Sequence, residues 1–507
     1  MLKRSSEPHR TGTFIGARLS KALKGMAFCI VWLYLSANLL SAQTRTLRIV
    51  CYNIQCDTTG IATPGIFSPT CGLIEPYEGP GGTFDTNCTG SAINGGVLEG
   101  IGEEIINGDP AQPIDVLALE ETTSNPTTVL PIVSALNSFY STYNYLYAVP
   151  AGYAMSPYQA TQDGANTNGN GPSALVYNTN TVQLLASVGI ATPTGGVPSG
   201  NGMYRQCVRY EFAPAGVAPA TNNEFYIYVS HYKASSGATD DADRLGEAQI
   251  IRNDESTSCP SFARVLYVGD YNPDDNSGEP GYQTICSNNA PDGIPQGQGV
   301  DPLNIQWSAT SSASPNINWS VKTTNPQILF MLSEESYELR YRDDLQIMTS
   351  NVYYQVAGGF RYVPGTYHSF GNNASITYAA SVSVSTNTAL NDLDPVKASA
   401  TGLNAAVVLQ DLTGASDHLP IVADYTIPLP RPAITGVNVA GTNLTFAAAN
   451  CATGQVYTVL MTTNLMIAPA NWTPIATNIS TGTNFAFVVS NAVSIAAPPH
   501  FYLLQMP

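Results

Sequence analysis

The sequence predicts an α/β body whose helices cover sheet faces, followed by a small all-β domain. Two observations carry this. Along residues 43–427, short apolar runs of strand composition alternate with stretches of helical spacing, the pattern of sheets covered by helices. After Pro428, Pro430 and Pro432, a stiff linker, residues 433–507 hold only short strand-like runs separated by Asn, Gly, Thr and Pro. With 44% hydrophobic and 9% aromatic residues in 507, the composition is globular, and the length suggests two or three domains.

Residues 1–42 read as a secretory signal peptide. Lys3, Arg4, Arg10, Arg18, Lys21 and Lys24 precede an apolar run from Met26 to Leu40, and Ser41-Ala42 offers small residues for cleavage. That run is shorter than the ~20 residues a spanning helix needs, and no later segment could cross a bilayer. The expectation is a monomer without stable membrane insertion, secreted, periplasmic or held at the cell surface. Without the leader, 14 Lys and Arg stand against 36 Asp and Glu, a formal charge of −22. Such a chain repels polyanions unless its basic residues are grouped or metal ions intervene, which counts against a tight sequence-specific nucleic-acid binder. Eight cysteines remain, Cys51, Cys56, Cys71, Cys88, Cys207, Cys259, Cys286 and Cys451. An even number in an exported chain favours disulfides, with Cys71–Cys88 and Cys259–Cys286 able to close local loops, and no pair has zinc-site spacing.

In the body, strands are expected over 47–53, 115–120, 173–177, 225–229, 264–268, 345–348 and 421–424. Helices are expected from Val97 to Ile105, over 128–136 and over 243–253. Residues 56–94 read as a long surface loop, and 273–335 and 355–412 as polar insertions between core elements. In the tail the strand-like runs are 455–461, 485–489 and 501–504. The tail offers no cluster of titratable residues, so the chemistry is placed in the body.

The candidate site lies at strand ends. The run ending in Tyr267-Val268-Gly269-Asp270-Tyr271-Asn272-Pro273 holds Asp270 and Asn272 two residues apart, so that both side chains leave one face. A calcium-loop reading of Asp270, Asn272 and Asp274 fails, because Asp275 stands where Gly is required and Gly281 where a bidentate Glu belongs. Asn53 closes the first strand, Glu120-Glu121 the second, and His231 the strand before Tyr232. Arg342 and Asp344 precede Leu345, and Asp417-His418 precede Ile421. One such residue alone is ordinarily a cap or a solvated end. Their recurrence beside six apolar runs is the signal.

The phrases Tyr52-Asn53-Ile54-Gln55, Asp115 through Glu121, Ser230-His231-Tyr232-Lys233, Gly269-Asp270-Tyr271-Asn272, Arg342-Asp343-Asp344 and Ser416-Asp417-His418-Leu419-Pro420 stand in this order. Together they resemble the endonuclease/exonuclease/phosphatase superfamily, metal-dependent enzymes that include pancreatic-type deoxyribonuclease, abasic-site endonucleases, inositol-phosphate phosphatases and bacterial sphingomyelinases. The resemblance covers residues 46–426 and excludes the tail. It implies a four-layer α-β-β-α sandwich, deoxyribonuclease I-like, with a site where the strand tips meet. It implies that Glu121 and Asn53, with Asp417 near them, hold Mg²⁺, or Mn²⁺ or Ca²⁺, since oxygen ligands suit such ions. Asp270 would orient or activate water, and Asn272 and His231 would bind the phosphate. His418 would act as base or transition-state stabiliser, with Asp344 fixing its tautomer. Which of Asp270 and His418 takes the proton stays open.

Two departures bear on the substrate. Glu120 stands where Gln is common, adding a possible second acid, and Leu146 to Pro150 lacks the Glu of pancreatic-type members. Arg205, Arg209, Lys233, Arg244 and Arg252 could form a wall that steers a phosphodiester backbone, with Arg205 and Lys233 nearest the substrate, or could pair with carboxylates. Trp307 and Trp319 are single aromatics in an insertion rather than an apolar membrane loop. The expected activity is an extracellular endonuclease on DNA or RNA. A lipid phosphodiesterase, a phosphatase or a non-catalytic binding protein on the same fold are the alternatives.

Overall fold

The computed structural model describes residues 44–54, 73, 96–122, 128–148, 173–190, 207–220, 223–235, 237–273, 278–286, 297–303, 339, 341–377, 380–394, 403–430, 432–453, 456–490, 492 and 500–505. The leader, most of the 56–94 loop, Arg205, Trp307, Trp319, Cys56, Cys71 and Cys88 lie outside them.

Two mixed sheets form the body. The first is built on β1 (Thr44–Asn53), β2 (Val116–Glu120), β3 (Tyr145–Ala148) and β4 (Ala174–Asn178). The second contains β5 (Val182–Gly189), β6 (Val208–Pro214), β7 (Phe225–His231), β8 (Val265–Asp270), β9 (Gly299–Val300) and β10 (Asp344–Thr349), ordered β5-β6-β7-β8-β10-β9. Later strands β11 (Arg361–Tyr362), β12 (His368–Ser369) and β13 (Ile421–Pro428) complete the first sheet, ordered β11-β13-β1-β2-β4-β3 with β12 also on β13. Each sheet has one parallel pair at its centre, β1 with β2 and β7 with β8, flanked by antiparallel partners.

Strand parity sorts the residues into layers, because successive side chains leave opposite faces. Leu47, Ile49 and Cys51 of β1 face the second sheet and meet Val208, Ile227, Val229, Leu266 and Val268. Val50 and Tyr52, of opposite parity, face the helices α1 (Val97–Glu103) and α2 (Leu130–Phe139). On the far side Val265 and Tyr267 of β8 pack under α3 (Ala238–Ser258) and α4 (Pro280–Cys286). The result is an α-β-β-α sandwich of four layers, the arrangement the resemblance implies. A buried Gln346 ties the two sheets together, its amide donating to Ile49 O at 3.0 Å and Ile421 O at 2.8 Å.

Several elements differ from expectation. The third helix spans 21 residues rather than 243–253, because its first turn is polar and stabilised by Asp240 and Asp241 against the helix dipole rather than by apolar spacing. Strands β3, β5 and β6 are additional, and β5, an edge strand, is half-buried along most of its length and so lacks a strong alternation. The short helix α5 (Ser350–Tyr353) follows β10 directly. The 355–412 stretch is not merely an insertion. It holds β11 and β12, and α6 (Ala405–Ala415) begins inside it, capped by Asn404, whose side chain accepts from Ala406 N and Val407 N. Val408, Leu409 and Leu412 pack α6 into the helix layer over the first sheet.

No disulfide joins the described cysteines: Cys51, Cys207, Cys259, Cys286 and Cys451 are free thiols. The Cys259–Cys286 loop is not closed, because Cys259 Sγ packs on the Tyr228 hydroxyl at 3.3 Å and Cys286 bonds Tyr282 instead.

The tail forms two three-stranded sheets. One holds β14 (Ala433–Ala440), β15 (Asn443–Ala449) and β18 (Phe485–Val489), the other β16 (Val456–Thr462), β17 (Thr473–Ile479) and β19 (Phe501–Gln505). Leu444, Phe446, Tyr457, Val459 and Phe487 fill the space between, joined by Val217 and Leu429 of the body.

Candidate active site

The same parity that builds the inter-sheet core delivers the polar residues to its end. Asn53 continues the series 47, 49, 51; His231 continues 225, 227, 229; Asp270 continues 266, 268. Register then brings them together. His231 stands beside Asp270 in the parallel pair, Asp344 faces Asp270 across the antiparallel pair, and Asn53 is level with Glu120. The start of β13 runs antiparallel to the end of β1, which carries Asp417 and His418 to the same rim. Ser416 fixes that corner, its hydroxyl donating to Asn53 O at 2.7 Å and accepting from His418 N at 3.0 Å.

Asp270 is the hub. Asn53 Nδ2 donates to its Oδ2 at 3.0 Å and to Glu121 Oε1 at 3.0 Å, and Asn272 N donates to its Oδ1 at 3.0 Å. His231 Nε2 lies 3.3 Å from Asp270 Oδ2 and 3.7 Å from Glu121 Oε1. His418 Nδ1 makes a 2.7 Å bond to Asp344 Oδ2, which leaves Nε2 facing Asp417 Oδ1 at 3.7 Å and Asp270 Oδ2 at 3.9 Å. Asn272 also donates from Nδ2 to Tyr232 O at 3.2 Å.

The backbone at two tips is unusual. Glu121 and Asn272 adopt φ of 54° and 44°, in the left-handed region. Gly269 is required by close approach: a Cβ there would sit 1.7 Å from Ser230 O on the neighbouring strand.

Burial and mutual repulsion set the protonation. Burial, reinforced by Asp417, pushes the Glu121 carboxyl up to about 7. Burial also raises Asp270 to about 6, with His418 pulling against it and Asp344 adding repulsion. For His418 burial alone would favour the neutral ring, yet the carboxylates of Asp344, Asp417 and Asp270 outweigh it and hold the imidazole well above its ordinary range.

The candidate donors suit a divalent cation. Glu121, His231 and Asp270 offer ligand atoms within 4.8 Å of one another, as do Asp270, Asp344 and His418. Carboxylate and amide oxygens from Glu121, Asn53 and Asp417 are the hard ligands that Mg²⁺, Mn²⁺ and Ca²⁺ prefer. Carboxyls kept partly protonated by burial are those a cation would deprotonate.

All eight candidate catalytic and metal residues gather at this rim. Two further acids join them. Glu120 is fully buried with Oε2 3.7 Å from Cys51 Sγ, and burial plus the fields of Asp344 and Asp270 raise its pKa strongly. Asp343, which has no role among the expected site residues, is buried beside Asp270 and His418 and likewise raised, burial being the first cause. The doubled Asp343-Asp344 is the signal that marks it in the sequence.

The basic wall does not form among the described residues. Arg244 is buried on Glu279 at 2.8 Å and on Asp241 at 2.6 Å, Arg252 on Glu255 at 3.2 Å, and Arg209 on Asp254. Lys233 holds Asp240 at 3.2 Å, so its ammonium is already engaged. Arg342 is engaged as a structural anchor, bidentate to Asp301 at 2.6 and 2.9 Å.

A comparison with protein-family models gives no match, and neither does one with curated protein sequences. Solved structures do match. One is an endonuclease/exonuclease/phosphatase from Beutenbergia cavernae, 12% identical over 91% of this chain and 100% of that one, TM-score 0.34. Another is an endonuclease/exonuclease/phosphatase family protein from Bacteroides thetaiotaomicron, 12% identical over 77% and 98%, TM-score 0.34. A third is the human nocturnin catalytic domain with bound sulfate, 15% identical over 76% and 97%, TM-score 0.35. At these identities and TM-scores the likeness carries no argument about chemistry, which rests on the side chains.

Proposed function

We propose that this chain is a divalent-metal-dependent phosphoesterase that hydrolyses phosphodiesters, with nucleic acid as the substrate class and an exported location. The observation that carries the reading is the His418–Asp344 pair at 2.7 Å set beside Asp270, Glu121 and His231 at one rim. Asn53, Glu121 and Asp417 would hold the cation, which supplies charge neutralisation to the phosphate oxygens and the leaving oxygen.

The protein's own groups divide the rest. His418 Nδ1 is committed to Asp344 and its Nε2 faces the rim, where the neighbouring carboxylates favour the charged ring, so Nε2–H serves as a donor to a phosphoryl oxygen. Asp270, with a pKa of about 6, is ionised at neutral pH and accepts the proton of the attacking water. The new bond is water oxygen to phosphorus, the bond broken is phosphorus to the leaving oxygen, and the leaving oxygen takes a proton from solvent. Asn53 and Asn272 hold Asp270 from both its oxygens, which orients its lone pairs. Asn272 and His231 flank the phosphate.

With the arginines near His231 already paired, attraction to a polyanion depends on the bound cation more than on a basic wall. The test is hydrolysis of plasmid DNA, RNA, sphingomyelin and bis-p-nitrophenyl phosphate with Mg²⁺, Mn²⁺ or Ca²⁺ and with chelator. Cleavage of DNA or RNA that needs metal and is lost in His418→Ala supports the reading. Turnover of sphingomyelin alone would move the substrate to lipid, and no metal-dependent turnover on any of the four would overturn the enzyme reading.

A further inference from the structure

Between Ala433 and Pro507 there is no Asp, Glu, Lys or Arg, although the whole chain carries −17. A globular stretch of that size ordinarily has about a quarter of its residues charged. The uncharged tail also projects an apolar tip. In the turn between β16 and β17, Met466 is 91% exposed, Leu465 38% and Ile467 39%, followed by exposed Ala468 and Pro469.

Part of the backbone of this tip is bonded from within. Asn464 N donates to Thr462 Oγ1 at 3.1 Å, Met466 N to Asn464 Oδ1 at 3.0 Å and Ile467 N to Asn464 O at 3.1 Å. Asn471 N and Trp472 N bond Ala468 O and Pro469 O, and the Trp472 indole closes the base on Ile467 O at 2.8 Å. Pro469 has no N–H to satisfy. Turn bonds of this kind are ordinary in water-exposed loops; in an apolar medium they also lower the desolvation cost that open backbone groups would carry.

We propose that this loop docks the protein on a zwitterionic lipid surface, with Leu465, Met466 and Ile467 inserted at the headgroup boundary and Trp472 at its polar edge. Three consecutive apolar side chains on a convex turn fit a soft medium better than the flat face of a second copy. The absence of charge removes both the cost of bringing ions to the interface and any selection for anionic lipid, which would repel the acidic body. No helix among the described residues is long and apolar enough to cross a membrane, so the contact is interfacial.

The experiment is co-sedimentation of the full chain with phosphatidylcholine vesicles, with and without added phosphatidylglycerol, at low and high salt. Binding should be insensitive to salt on phosphatidylcholine and weaker with phosphatidylglycerol. Met466→Asp should lower partitioning roughly tenfold or more, and Met466→Leu should retain it. The melting temperature of each variant checks folding independently, so the lipid reading stands or falls apart from the hydrolytic one. No sedimentation of the parent chain, equal binding by Met466→Asp, or a dimer in sedimentation velocity that Met466→Asp dissolves would overturn the proposal.

Discussion

Replacing Asp344 by Asn tests the centre of the proposed mechanism. In the parent chain the Asp344 carboxylate, wholly buried, accepts from His418 Nδ1 at 2.7 Å and sets which nitrogen faces the rim. Asn keeps the shape but removes the charge, and its amide can present N–H to the ring and reverse the tautomer. A hydrogen bond to a charged group contributes about 1.5–3 kcal/mol, and each ~1.4 kcal/mol is tenfold in rate. Without the Asp344 charge a smaller fraction of His418 is protonated and aligned, in free enzyme and in complex alike, so kcat and kcat/KM should fall together by roughly 10- to 150-fold. The assay is metal-saturated hydrolysis of bis-p-nitrophenyl phosphate, paired with NMR titration of the His418 ring in metal-free protein, where the pKa should drop. The double variant with His418→Ala should be no slower than His418→Ala alone. A rate within about twofold of the parent, with the ring titration unmoved, would refute the dyad.

Other expectations concern stability and metal. Glu121 and Asp270 have folded pKa values raised to about 7 and about 6, so between roughly pH 4 and pH 7 the folded chain binds more protons than the unfolded one. Their contribution to metal-free stability is full below about pH 4 and is lost as pH rises through 6 to 7; Mg²⁺ should offset that loss at neutral pH and release protons on binding, read by melts and calorimetry in two buffers. Gly269→Ala should destabilise by about 3 kcal/mol or more in urea titrations, because the added carbon meets Ser230 O at 1.7 Å. Asp301→Ala should cost about 3–5 kcal/mol by leaving the Arg342 guanidinium buried without its bidentate partner, and the same change with Arg342→Met should recover much of it.

Much of the site was legible in the sequence because it is built from strand ends. An apolar run that stops at a polar residue marks a tip, and alternation assigns the side of the sheet it leaves from, so the faces of Asn53, His231 and Asp270 follow from residue order alone. What alternation cannot report is the partner of a distant charge. Arg244 and Glu279 are 35 residues apart, and only folding turns the supposed wall into buried ion pairs. Asp343 was marked only by its pairing with Asp344, and alternation argued against it: it sits out of phase with Asp344, yet it is buried, with Tyr271 N bonding its carbonyl at 2.7 Å. Helix α6 did carry a readable cap in Asn404 and an apolar face in Val408, Leu409 and Leu412, but both lie at the end of a polar stretch whose bulk has no periodicity. The half-exposed β5 offers too little contrast between its faces to be seen.

Glu121 and Asn272 occupy backbone conformations that suit glycine better than either residue, at a cost on the order of 1 kcal/mol each. A library of variants sorted for heat resistance alone, with no substrate present, should therefore enrich glycine at these two tips, as at Asn107, Ser235, Phe262, Gln355, Ala374 and Asn450, which share the positive φ outside the rim. What would set the two tips apart is the second sort: glycine gained there should cost hydrolysis, whereas glycine gained at the other six positions should leave it unchanged.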